Sequence, residues 1–146
     1  MATSLYDLSV PTFLQTLRAV GGFLDRAARH CGETGGDPDD FVHARLFADM
    51  APFHFQIEAA WHHSVWGLEA VKTGVFAPPA LVGPVPFADL QAMIGKAETA
   101  LEAFTPEEVN GSAGHAVTAY DILRTRGVPL GKRDYEGQLR TRPVLK

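Results

Sequence analysis

Apolar residues that recur every three or four positions, in runs broken by glycine and proline, constrain this chain more than any other feature. Phe13, Leu14, Leu17, Val20, Leu24 and Ala27 share one side of a helix, because 3.6 residues per turn bring i, i+3, i+4 and i+7 together. Phe53, Ile57, Ala60, Trp61, Ser64 and Leu68 make a second stripe. Leu90, Ile94, Ala97, Leu101 and Phe104 make a third, and Val117, Tyr120 and Leu123 a fourth. No segment alternates apolar and polar β-branched types, so strands are not expected. The pattern predicts an all-α protein, an up-down four-helix bundle.

The breaks set the expected boundaries. Ser9 is a candidate N-cap for a helix over residues 11–31, with Pro11 in its first turn and Gly32, Gly35 and Gly36 ending it. Asp37, Pro38, Asp39 and Asp40 then suit the positive end of a short helix running to Leu46. Residues 51–73 read as one long rod of about 34 Å, with Asp49 as cap, Pro52 in the first turn and Gly74 as the stop. Residues 75–86 hold four of the ten prolines and read as a loop across the bundle end. A third helix fits residues 87–104, and a last, shortened one of about 21 Å fits residues 113–126.

Composition narrows the class. With 146 residues, 46% hydrophobic and 10% aromatic, the chain has the length and the material for one core, expected over residues 1–137 with a basic tail at 138–146. No apolar stretch approaches the roughly 18–20 residues that span a bilayer, so no membrane association is expected. The first seven residues lack the charge and apolar run of a leader. Cys31 is the single cysteine, which excludes an intramolecular disulfide and makes a cytoplasmic home the default. Residues 1–123 carry 6 basic and 15 acidic residues, a balance of −9, whereas residues 124–146 carry 7 and 2, a balance of +5. The basic end holds no Trp or Phe, no zinc-finger spacing and no long basic helix, so a nucleic-acid partner is not expected.

His54, Glu58 and His62 lie at i, i+4 and i+8 on the second helix, a spacing that aligns them on one drifting stripe. Imidazole and carboxylate suit Zn, Ni, Fe or Mn. One helix rarely closes such a site, so a histidine from another helix, His115, would have to join. The plainer account, which the sequence favours, has His54 half-buried and bonded to a neighbour, and Glu58 and His62 at the surface. Adjacent His62 and His63 cannot both face one ion. Arg45 and Asp49 form an i, i+4 pair read first as a salt bridge and cap, and second as a grip on a substrate carboxylate. Tyr120 reads as a core residue before it reads as an acid near His115. Cys31 shows no sign of activation and is taken as a structural thiol.

Several motifs occur together: Leu5, Tyr6, Asp7 with Val10, Pro11, Phe13, Leu14; Ala44, Arg45, Leu46 with Asp49, Met50, Pro52; His115 with Ala119, Tyr120, Asp121, Ile122, Leu123, Arg124; and Gly127, Val128, Pro129, Leu130, Gly131, Lys132. This set resembles a bacterial and fungal family known as domain of unknown function nineteen-ninety-three, over roughly residues 4–137. The resemblance implies membership of the DinB/YfiT-like superfamily of four-helix bundles, some of whose members use divalent metals and thiols. It places His115 where the family has its last-helix histidine. The family's connection before that helix is longer than the one here, which leaves apolar surface for a second copy to cover. Two expectations follow. The favoured one is a non-catalytic bundle, with no metal, that binds a small ligand through a pocket of Arg45, Asp49, Glu58 and Tyr120 or pairs as a homodimer. The alternative is a divalent-metal enzyme of thiol-transferase or hydrolase type built on His54, His62 and His115, perhaps with Glu58.

Overall fold

A computed structural model describes residues 3–113. The chain runs through α1 (Leu5–Thr34), a 3-10 turn (Pro38–Phe41), α2 (Phe53–Trp61), a π-helical turn (His62–Trp66), α3 (Gly67–Thr73), α4 (Phe87–Glu102) and α5 (Pro106–Gly111). There is no strand among the described residues. The architecture is the all-α bundle that the periodicity predicts; the expected last helix over 113–126 lies outside the described residues apart from its first position.

α1 begins upstream of its expected start. Ser4, not Ser9, is the N-cap: its hydroxyl accepts from the Asp7 N–H at 3.1 Å while the Asp7 carboxylate accepts from the Ser4 N–H at 3.3 Å. This reciprocal pair satisfies two otherwise unpaired donors. Pro11 then sits inside the helix, where it removes one i→i−4 bond. Buried Ser9 donates instead to the Leu5 carbonyl at 2.7 Å. Gly35, at φ 74°, closes the helix in a left-handed geometry that costs glycine little.

The short helix expected to reach Leu46 stops at Phe41. Asp37 and Pro38 start it as expected, the Asp37 carboxylate accepting from the Asp39 N–H. Beyond it the chain turns: Phe53 N–H reaches the Ala44 carbonyl and His54 N–H the Val42 carbonyl. Asp49 caps nothing, and α2 starts after Pro52 with no side-chain cap.

The core is the seam where α1 and α2 meet α4. Val10, Leu17 and Leu24 of α1 face Phe87, Leu90, Ile94, Ala97 and Leu101 of α4, with Ile57, Val65 and Leu68 closing the third side. Asp39 Oδ1 accepts from the Phe87 N–H at 2.7 Å, so the 3-10 turn caps α4 across 48 residues. Asn110 Oδ1 accepts from the Tyr6 N–H at 2.9 Å, which ties α5 to the start of α1. Cys31 is buried and free.

Candidate functional site

The polar residues of interest sit on the long helical segment built from α2, the π turn and α3. His54, Glu58, His62 and Trp66 follow each other at intervals of four. In an unbroken α-helix each such step drifts about 40° around the axis. The wider turn at His62–Trp66 takes up an extra residue and holds that drift back, so Trp66 stays near the others. Ser64 supports the wide turn by donating to the Ala60 carbonyl at 2.7 Å and the Trp61 carbonyl at 3.1 Å, competing with the backbone ladder.

Glu58 is the anomaly. It is 1% exposed, although the sequence places it at the surface. Its Oε1 accepts from the Val82 N–H of the proline-rich 75–86 loop. Its Oε2 is buried with no hydrogen-bond partner among the described residues, and no ion pair among them involves Glu58. A buried polar atom left unbonded costs about 1–3 kcal/mol, more where the group is charged.

Its neighbours on the helix are the residues three and four positions away. His54, half-buried as expected, meets the His43 ring edge-on at 6.1 Å, and its Nδ1 is buried without a partner among the described residues. His62 is 2% exposed, a second departure from the expected surface position, and its ring lies against Trp61 at 4.9 Å. His63 turns away and stacks on Phe76 at 5.5 Å, so the two adjacent histidines diverge as the geometry requires. Half-buried Trp66 has an indole N–H with no partner among the described residues.

Arg45 and Asp49 are exposed, on the turn before α2. No ion pair joins them; helical i, i+4 spacing does not apply where there is no helix. The Arg45 guanidinium donates to the Met50 carbonyl at 2.6 Å instead. His115 and Tyr120 lie outside the described residues. Among the described residues no three His, Cys, Asp or Glu side chains gather as a group able to hold a metal. His54, Glu58 and His62 therefore do not form a ligand set by themselves. The signal that could have revealed the stripe is the four-residue spacing itself, extended to Trp66.

The chain matches the family model described as Domain of unknown function (DUF1993) over residues 5–118 and 114–136. It belongs to that family. No curated protein and no solved structure matches it. Within the described part of this DUF1993 protein, no helix is long and apolar enough to cross a membrane.

Proposed function

We propose that this DUF1993 protein is a non-catalytic, DinB-like bundle that binds a small polar ligand against the inward side of the α2–π–α3 segment. Glu58 is the centre of the site, and Tyr120, outside the described residues, is its proposed further member. The observation that carries the reading is the buried Glu58 carboxyl with one oxygen bonded to the loop and the other without a partner among the described residues. Evolution of a merely structural core would fill this position with an apolar residue, since a half-satisfied buried polar group is worse than none. Arg45 and Asp49, being exposed, act at the rim. The test is a thermal-shift screen of small polar compounds on wild type and Glu58→Met. The reading expects a compound that raises the wild-type midpoint and leaves the variant unmoved. A more stable variant together with no stabilising compound would reject it.

The second reading is a divalent metal held by His54, His62 and His115, and its support is the donor chemistry of His54 Nδ1 beside a buried carboxylate. A bound ion of this kind would supply Lewis acidity or activate a bound water or thiol. Elemental analysis of untagged protein, with His54→Ala and His115→Ala, decides it: near-stoichiometric metal lost in both variants supports this reading, and substoichiometric metal unchanged in both ends it. Pairing as a homodimer is the companion proposal, supported by Leu46 and Phe47, which stand 82% and 72% exposed on the turn before α2. Light scattering at two concentrations tests that, and a strict monomer at both refutes it.

A further inference from the structure

The Glu58 oxygen that has no partner among the described residues also bears on the chemistry of the proposed ligand. Three observations bear on it. Oε1 is already occupied by the Val82 N–H, which leaves Oε2, without a partner among the described residues, as the oxygen a ligand would meet, and an ionised carboxylate oxygen accepts. Among the described residues no lysine, arginine or histidine forms an ion pair with this carboxyl, and the four ion pairs found among them lie between partly or largely exposed side chains. Trp61 lies three residues on, within reach of the same face, with its ring against His62 at 4.9 Å, and an indole face attracts cations.

We propose that the Glu58 site takes the cationic N–H donor of a small organic ligand, an alkylammonium or guanidinium group, with Glu58 Oε2 as its acceptor and Trp61 as its aromatic wall. This rests on the ligand-binding reading above. A positively charged donor both satisfies Oε2 and compensates a carboxylate held out of water, which a neutral hydroxyl does only in part. The same carboxyl anchors the 75–86 loop through Val82, so the ligand and the loop share one side chain. In this proposal the loop lifts to admit the ligand, since Val82 holds the same carboxyl. An occupied site therefore slows hydrogen exchange at the Val82 amide.

The experiment uses the full chain, Trp emission and thermal midpoint, and four probes: n-butylamine at neutral pH, butan-1-ol as its uncharged counterpart, and the chlorides of zinc and manganese with chelator reversal. Butylammonium is expected to give a saturable response. Butan-1-ol should bind at least about tenfold more weakly, the worth of a charge-assisted bond. Glu58→Gln, whose amide oxygen still accepts from Val82, should weaken butylammonium by at least about tenfold while keeping the Val82 amide protected, which shows that the variant is folded. Equal, Glu58-dependent binding of alcohol and ammonium would overturn the cationic class and leave the ligand-binding reading standing. A chelator-reversible metal response lost in Glu58→Gln, without an ammonium response, would overturn it in favour of the metal. No saturable response to any probe would overturn the inference and count against the reading beneath it.

Discussion

Asp39 illustrates how much a single side chain does here. On the sequence it belongs to an acidic run at the start of a short helix; in the structure its carboxylate holds the first N–H of α4 at 2.7 Å. Asp39→Ala is expected to lower stability by about 1–2 kcal/mol, as for other lost caps, while Asp39→Asn keeps most of it; urea denaturation of the two variants checks this. The opposite case is Arg18, whose bond to Glu102 measures 2.7 Å but lies between side chains 58% and 54% exposed. Exposed pairs of that kind contribute roughly 0–1 kcal/mol. Glu58 and His62 were illegible as interior residues because charged and polar types are rarely fully buried. The Val82 N–H of the 75–86 loop meets Glu58 there, and nothing in residues 75–86 announces where the loop lies. His54 is half-buried, as its place on the shoulder of the apolar stripe predicts, but its Nδ1 lacks the expected neighbour among the described residues.

At the scale of elements, α4 is the most legible: Leu90, Ile94, Ala97 and Leu101 of the expected stripe are buried in it, and Phe104 is buried just past its end. α1 was legible in its body but not at its start. Pro11 invites a first-turn reading, yet the Ser4 and Asp7 pair begins the helix six residues earlier. Ser4→Ala should therefore cost about 1 kcal/mol, and Ser9→Ala less than half of that, measured by thermal unfolding. The π turn left no mark in the sequence, because a single extra residue does not disturb a stripe that resumes in phase. If His62–Trp66 holds one residue more than an α turn, deleting exposed His63 should let the segment relax to regular α-helix with Leu68 still in the core. Cooperative unfolding should survive, with the midpoint lowered by only a few degrees, about 1 kcal/mol. Deleting exposed Gly95, in the regular helix α4, should rotate Ala97 and Leu101 out of the core by about 100° and abolish the cooperative transition. The two deletions, compared by circular dichroism, separate a π insertion from ordinary helix.

On the whole-molecule scale, the apolar seam of α1, α2 and α4 holds the bundle together, and on the polar stripe a carboxyl and an imidazole, Glu58 and His62, enter the interior. The central claim is that this departure exists to hold a ligand. Native mass spectrometry of the untagged protein, purified under mild conditions, tests that most directly. We expect one small organic adduct per chain in the wild type, absent from folded Glu58→Gln. The bare polypeptide mass for both proteins, with Glu58→Met more stable than either, would contradict the account.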